Sequence, residues 1–319
     1  MFPFVEKRKI SYLVVAAILL FGLISYFIHG GFNLDIQFQG GTEIKYSVTT
    51  KDFNSEKAQS LISEKIKKTV TVLSSENSAK ENFLVIRVSS SLKLTNEEVI
   101  AIDKLLKDNK YPVQGTASQI NISANIGAEY MRNGIFAIFG ALALIIVYIA
   151  IRFKAISGWS AGIIATIAIL SDALLMISVY LIFNIALNES FIAGVLTVIG
   201  YSINDKIIIY DRIRENSSGR KKGSNIEIVN LSIYQTLTRS INTALTAIMS
   251  LAVVFVLATM FQISSVAQFA FPMIIGVAFG CLSSIFIAGP ALGAYKESNA
   301  KLASTNQRSM GNSQARRKR

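Results

Sequence analysis

An aspartate inside an apolar segment is the residue with the clearest chemical potential in this sequence. Residues 198–216 read VIGYSINDKIIIYDRIREN, and Asp205 lies within a run long enough to cross a bilayer. An ionised Asp at the centre of a membrane helix costs roughly 2.5–3.5 kcal/mol, so such a residue usually faces a bundle interior or a water path. We predict that Asp205 handles a proton. The alternative is a carboxylate that only bonds a neighbouring helix.

Two other charged residues lie in or beside apolar runs. Asp172 is near the middle of the run 158–183, where a proton-carrying role and a helix-to-helix hydrogen bond remain equally open. Arg239 directly precedes the run 241–261, where it either snorkels to the membrane surface or pairs with Asp205. A guanidinium favours the ionised form of a nearby carboxyl, whereas desolvation favours the protonated form. Moving such a pair apart and together would therefore load and release a proton.

Polar neighbours accompany these charges at helical spacing. Lys206 follows Asp205 directly, and one residue turns a helix by about 100 degrees. We therefore expect Lys206 to point to another face and snorkel, with a local Asp-Lys pair as the alternative. The supporting polar residues are Tyr201, Asn204, Asn242 and Thr246.

The sequence lacks the residues needed for phosphate binding, for catalysis by histidine and for disulfide formation. Gly40-Gly41 is not part of a phosphate-binding loop, the only histidine, His29, ends the first apolar run, and the single Cys281 has no partner cysteine. We predict no enzymatic activity, no cofactor and no resident metal. A carboxylate beside hydroxyls and amides also suits Na⁺, so the choice between H⁺ and Na⁺ stays open.

The composition indicates a polytopic membrane protein. The 319 residues are 51% hydrophobic, yet they contain 32 Lys plus Arg against 20 Asp plus Glu, a net charge of +12. Basic residues at the ends of apolar runs are explained by membrane orientation and anionic lipid headgroups. We expect contact with membrane lipid and none with nucleic acid, because no basic-aromatic binding motif is present.

Six apolar runs predict six transmembrane helices. Lys and Arg cluster after the second, fourth and sixth runs, whereas the connectors 184–190 and 262–268 contain neither. Since positive residues collect on the cytoplasmic side, both termini are predicted to be cytoplasmic. The runs cover residues 10–28, 134–151, 158–183, 191–210, 241–261 and 269–288.

A soluble α+β domain is predicted between the first two spans. Alternating apolar residues predict strands at 34–38 and 83–88 and a last strand at 113–122, and helical spacing predicts helices at 55–68 and 95–107. The order strand, helix, strand, strand, helix, strand is typical of a ferredoxin-like, split β-α-β fold.

The predicted fold class is thus an α-helical membrane protein with six spans and one small extracytoplasmic domain. The last segment is polar and basic, and we expect it to be disordered. The predicted divisions are a cytoplasmic N-terminus at 1–9, span 1 at 10–28, the outer domain at 29–132, spans 2–6 at 133–290 and a cytoplasmic tail at 291–319.

Several motifs resemble those of the SecD/SecF family of protein-export membrane proteins, within the resistance-nodulation-division superfamily. The strongest is VIGYSIND followed by DRIREN in the fourth span. The further motifs are FQGGT at 38–42, Asp172, LTRSINTALT at 237–246 and SSIFIAGP at 283–290.

The resemblance implies a SecF-like accessory subunit in the bacterial cytoplasmic (inner) membrane. Its implied partners are SecD, the SecYEG translocon and a translocating unfolded preprotein, and its implied energy source is the proton-motive force. The residues matching Asp205 and Arg239 are implied to carry proton coupling. A passive assembly factor of the translocon and a small-molecule efflux pump of the same superfamily are the alternatives.

The sequence also departs from the family pattern. Gln37 replaces a usual Asp, Ser171 replaces a His before Asp172, and Leu282 replaces a frequent Tyr. A Gly-Pro pair is missing from 123–127. The chain has no SecD half, so the resemblance requires a separate SecD subunit to complete a pseudo-symmetric bundle.

Overall fold

Six long apolar helices and one small sheet make up the computed structural model. These elements confirm the predicted fold class of a multi-pass helical membrane protein with one α+β domain. The structure describes residues 2–48, 55–76, 82–89, 94–122, 124–218, 224–261 and 263–317.

The helices long and apolar enough to cross a membrane are α1 (Arg8–Ile28), α5 (Ala124–Arg152), α6 (Gly158–Ile182), α7 (Glu189–Ser218), α8 (Asn225–Met260) and α9 (Ser264–Ser283). A 3₁₀ turn, Lys154–Ile156, joins α5 to α6. A π-helical segment, Ser284–Ala288, continues α9 into α10 (Gly289–Arg317).

The α+β domain between α1 and α5 has the predicted ferredoxin-like order of elements. Its strands are β1 (Gly41–Val48), β2 (Thr69–Glu76), β3 (Asn82–Ser89) and β4 (Val113–Ile122), and its helices are α3 (Ser55–Ile66) and α4 (Asn96–Asp108). The strands form one antiparallel sheet in the order β2-β3-β1-β4. The helix α4 begins with the expected capping box, in which Thr95 and Glu98 bond each other's backbone N–H groups.

The predicted strand at 34–38 is wrong. Residues Ile36–Gln39 form a short helix, α2, and the first strand begins only at Gly41. The Asp35 carboxylate accepts a hydrogen bond from the Ile36 N–H at 2.8 Å and caps this helix. Both Ile36 and Phe38 are nevertheless buried, so the alternating apolar pattern marks burial of a single turn.

The helices α6, α7 and α9 form the centre of the membrane bundle. About half of the apolar window of each is buried, whereas α1, α5 and α8 are largely exposed at the periphery. Close packing of α9 on α7 depends on two glycines, because a Cβ added at Gly276 would overlap Val198, and one at Gly280 would lie 3.1 Å from Ser202. This contact brings the start of the π-helical segment beside α7.

The N-terminal end of α7 is bonded to the segment that leads into the α+β domain. Leu34 forms a parallel bridge with Leu187 in the loop before α7. The Gln37 side-chain amide donates a hydrogen bond to the Glu189 carboxylate at 3.0 Å, and its carbonyl accepts one from the Glu189 N–H at 3.1 Å. Residue 37, where the sequence departs from the family pattern, is therefore part of this connection.

Two helices extend beyond their predicted limits. The helix α8 begins at Asn225, behind a capping box of Ser224 and Glu227, so Arg239 lies well inside a helix rather than at its start. The tail was expected to be disordered, but α10 continues to Arg317. Within it, Lys301 lies 3.7 Å from Glu297 one turn earlier, which is helix-stabilising spacing.

Candidate functional site

The helix α7 holds two buried charged residues side by side. Asp205 is 1% exposed and Lys206 is 0% exposed, although they are consecutive. Both can be buried because α7 is in the middle of the bundle, with α9 on one side and α6 and α8 on others. The polar contacts of the two residues differ completely.

Asp205 has no hydrogen-bond partner for either carboxylate oxygen among the described residues. The Tyr201 hydroxyl, one turn earlier, and the Ser240 hydroxyl on α8 are also buried without partners. The charges of Lys206 and Arg239 act on Asp205, but neither forms an ion pair with it. An unpartnered, buried carboxyl group is far more stable protonated than ionised, so this arrangement suits the proton-loaded form.

Arg239 does not contact Asp205 directly. It is exposed and has no ion pair within the described part of the chain. Its side chain instead helps to line a polar cavity of about 420 Å³ between α7 and α8. The other residues lining this cavity are Ile207, Ile208, Asp211, Arg212, Glu215, Gln235 and Thr236.

The cavity brings polar surface close to Asp205. Ile207 and Ile208, two and three residues after Asp205, line its wall, and the remaining lining of α7 is charged. Within this lining, Arg212 donates a hydrogen bond to Gln235 at 2.7 Å, which connects α7 to α8, and another to Glu215 on its own helix. Arg239 therefore shares this cavity with the turn of α7 that follows Asp205.

Lys206 does not snorkel, and that expectation is corrected. Its ammonium is 3.2 Å from an oxygen of Asp172 on α6, and both side chains are buried. It also donates hydrogen bonds to Ser202 at 2.6 Å, Ser283 at 2.9 Å and Ser284 at 3.3 Å. The bundle turns this face of α7 inward, and the pair with Asp172 compensates the buried charge.

The four supporting polar residues differ in their burial. Tyr201 is half-buried near Asp205. Asn204, Asn242 and Thr246 are exposed on the outer surfaces of α7 and α8, and the Thr246 hydroxyl bonds its own helix at the Asn242 carbonyl. Of the predicted set, the bundle interior thus gathers only Asp205, Asp172 and Tyr201.

Sequence reasoning missed the serines around Lys206. In the sequence, Ser202 appears only within VIGYSIND, and Ser283 and Ser284 appear only within SSIFIAGP. The two adjacent serines meet at the change from α to π helix, a feature that is frequent at functional sites. The two adjacent serines at the end of an apolar run are the sequence feature that could have indicated this polar cluster.

The arrangement can bind and release a proton inside the membrane. Within the described residues, no group of three or more His, Cys, Asp or Glu side chains could hold a metal ion. Asp205 offers an unpartnered carboxyl group. Arg239 offers an exposed cation at a polar cavity, and Asp172 and Lys206 form a buried ion pair without net charge.

Comparison with known proteins gives consistent matches over most of the chain. A family model described as protein export membrane protein SecD/SecF, C-terminal, matches residues 101–298. The protein translocase subunit SecF of Petrotoga mobilis is 33% identical over 296 residues, which are 90% of this chain and 93% of that protein. The protein translocase subunit SecDF of Bacillus subtilis is 32% identical over 296 residues.

Solved structures of SecDF share the fold. The crystal structure of the translocon-associated membrane protein SecDF from Thermus thermophilus superposes with a TM-score of 0.72 at 27% identity and covers 92% of this chain. A second SecDF crystal structure, in a super-membrane-facing form, gives a TM-score of 0.67 at 26% identity and covers 96% of this chain. The chain spans only 38% of the Bacillus subtilis SecDF and 38% and 40% of these two solved chains.

Proposed function

Because this chain belongs to the SecD/SecF family of protein export membrane proteins, we propose that it is an accessory subunit of the Sec translocase that couples the proton-motive force to late steps of protein export. Its relatives are named as subunits of the protein translocase. We propose further that it works with a SecD subunit at the SecYEG channel, on an unfolded preprotein, without ATPase or hydrolytic chemistry.

The observation that carries this proposal is the buried, unpartnered carboxyl group of Asp205. Proton loss would leave an ion in a low-dielectric bundle. Of the two described cations whose charges act on Asp205, Lys206 is paired with Asp172, which leaves Arg239 at the neighbouring cavity to approach it. Protonation of Asp205 would neutralise its carboxylate and remove the attraction to Arg239. The proton-motive force is sufficient for such a cycle, since one charge crossing 100 mV is worth about 2.3 kcal/mol.

We assign the proton-carrying role to Asp205 rather than to Asp172, because Asp172 already forms an ion pair with Lys206. One of its oxygens contacts Lys206 and accepts a hydrogen bond from Ser202 at 2.7 Å. Protonating that oxygen would leave the buried ammonium without its counter-charge. Protonating Asp205 removes the counter-charge of no described cation, because Asp205 forms no ion pair among the described residues.

A movement of α7 would be transmitted directly to the outer domain. Its outer end is bonded to the domain entrance through Gln37 and Glu189, and the preceding loop is bridged at Leu34 and Leu187. A shift of α7 on proton binding would therefore pull on the domain that we place outside the membrane. This orientation, with both termini in the cytoplasm, is supported by the basic residues after spans 2, 4 and 6.

A partner bundle is required by the exposed polar stripe on α8. Arg239, Asn242, Thr246 and Ser250 are exposed in the isolated chain, although they lie on a membrane-spanning helix. Polar side chains in hydrocarbon are costly, so this stripe needs a protein neighbour. We propose that a SecD subunit covers it.

The proposal is tested by Asp205→Asn in an export assay in cells whose own SecF function is removed. The amide has nearly the same shape but cannot ionise, so we expect secretory precursors to accumulate as they do without the chain. Asp103→Asn, on helix α4 of the α+β domain, is the control, because Asp103 does not line the cavity and its ion pair with Lys107, one turn later, is a surface pair of little energetic weight.

Both variants must be present in the membrane at the wild-type level. Normal export with Asp205→Asn would refute coupling and favour a passive assembly factor. Increased drug sensitivity without precursor accumulation on loss of the chain would instead favour an efflux pump.

A further inference from the structure

The Lys206 ammonium ends in a cage of oxygen atoms at the centre of the bundle. Its nitrogen lies 2.6 Å from Ser202 Oγ, 2.9 Å from Ser283 Oγ, 3.2 Å from Asp172 Oδ2 and 3.3 Å from Ser284 Oγ. All five side chains are buried. Three helical elements, α6, α7 and the junction of α9 with the π-helical segment, supply these oxygens.

The cage contains more oxygen atoms than one ammonium can bond. Lys206 has three N–H donors, whereas four oxygens lie within hydrogen-bond distance of it. The second oxygen of Asp172, Oδ1, is also buried and has no partner among the described residues. One carboxylate with several hydroxyls is a ligand set that suits a hard metal cation.

The π-helical segment builds one side of this cage. Consecutive residues of an α-helix point about 100 degrees apart, so Ser283 and Ser284 would not ordinarily reach the same atom. The wider turn that begins at Ser284 brings both hydroxyls to the Lys206 nitrogen. Both hydroxyls donate to the Gly280 carbonyl, at 3.2 and 2.7 Å, which leaves their oxygen lone pairs directed at the cation.

We propose that Lys206 is a tethered cation that fills a metal-ion site and thereby makes this chain selective for H⁺ over Na⁺. This inference rests on the proposed function of Asp205. While the ammonium is present, its volume and positive charge exclude a second cation from Asp172 and its serines. The remaining buried carboxyl group, Asp205, is not hydrogen-bonded to any hydroxyl group of the described residues, in contrast to Asp172. A proton needs only one carboxylate oxygen, to which it forms an O–H bond.

Removing the tethered cation should create a sodium site. In Lys206→Ala the cage keeps its carboxylate and three hydroxyls and gains the space that the ammonium occupied. We measure the melting temperature of the purified full chain in NaCl and in choline chloride at the same ionic strength. At about 200 mM salt, Lys206→Ala should melt about 3 °C or more higher in NaCl, because Na⁺ binds only the folded state, and the wild type should show no sodium-specific shift.

Two control variants separate ion binding from loss of charge. Lys206→Met also removes the charge but fills the space, so it should show no sodium shift. The double variant Asp172→Asn/Lys206→Ala opens the space without a carboxylate, and it too should lose the shift. Lys206→Ser, which adds another hydroxyl, is measured beside Lys206→Ala so that poor folding of one variant leaves the test intact. Absence of a sodium shift in both the Ala and the Ser variants overturns the inference.

Export measurements distinguish failure of this inference from failure of the proposed function. Wild-type export should be equally efficient at low and high external Na⁺, whereas Lys206→Ala should export only when Na⁺ is supplied. If Asp205→Asn abolishes export and Lys206→Ala gains no response to Na⁺ in either assay, the coupling role stands and the selectivity role fails. If Asp205→Asn exports normally, the coupling role fails whatever the melting experiment gives.

Discussion

Removing one member of the Asp172–Lys206 pair leaves a buried charge without its partner. The charged atoms are 3.2 Å apart and the side chains are 0% and 1% exposed. At an effective dielectric constant near 20, this separation corresponds to an attraction of about 5 kcal/mol. Breaking a buried pair by removing one partner typically costs about 3–5 kcal/mol, in agreement with this value. We therefore expect Asp172→Asn and Lys206→Met each to lower the free energy of unfolding by about that amount.

The double variant should be more stable than either single variant. It contains no uncompensated charge, and replacing a whole buried ion pair is often nearly neutral, so we expect a loss of about 2 kcal/mol or less. The free energy of unfolding of the full chain is measured by SDS titration in detergent micelles, with helicity as the signal. The four proteins form a double-mutant cycle. If the two single losses simply add in the double variant, the pair is not coupled and the assignment of Lys206 as the buried counter-charge of Asp172 is refuted.

Two further predictions concern helix packing and the outer domain. Gly276→Ala should lower the free energy of unfolding by about 1–3 kcal/mol, because its Cβ would overlap side chains of α6 and α7. Gly140→Ala is the control, because its Cβ would meet nothing within 4 Å, and it should cause no such loss. The same SDS titration measures both variants, and equal losses would contradict the packing at Gly276. The Lys68 side chain, 2.6 Å from Glu98, holds the pKa of Glu98 below its usual range. Because the folded-state pKa is lowered, this pair stabilises the domain above the unfolded pKa of about 4.3 and ceases to do so as the pH falls through the folded pKa. Glu98→Gln should therefore melt at a lower temperature than wild type at pH 7 and at the same temperature at strongly acid pH. A difference in melting temperature that persists in acid would contradict the lowered pKa of Glu98.

Much of the architecture is predictable from local patterns. Apolar runs of about 20 residues predict all six membrane helices, because a bilayer requires that length whatever the helices pack against. The order of strands and helices in the outer domain, and the cap at Thr95, follow from side-chain periodicity and hydrogen-bonding capacity. The exception at 34–38 shows the limit of such patterns, since residues with alternating apolar side chains form a helical turn that Asp35 caps.

The candidate site is less predictable because its contacts join distant residues. The sequence identifies Asp205 as unusual, since a carboxylate in an apolar run is conspicuous without any partner. It does not show that Lys206, the next residue, is enclosed by Asp172, 34 residues earlier, and by Ser283 and Ser284, 77 and 78 residues later. The expectation that Lys206 snorkels treated α7 as an isolated helix in lipid.

The sequence by itself therefore determined the membrane class, the number of spans, the order of elements in the α+β domain and the identity of the two intramembrane carboxylates, Asp172 and Asp205. Those properties depend on chain length, periodicity and the cost of a charge in hydrocarbon, all of which are local. Only the tertiary structure decided that Asp205 is unpartnered while its neighbour Lys206 is fully paired. The physical reason is helix rotation, which is set by the packing of Gly276 and Gly280 against α7 and by the π-helical turn, and which decides which neighbour each side of α7 meets.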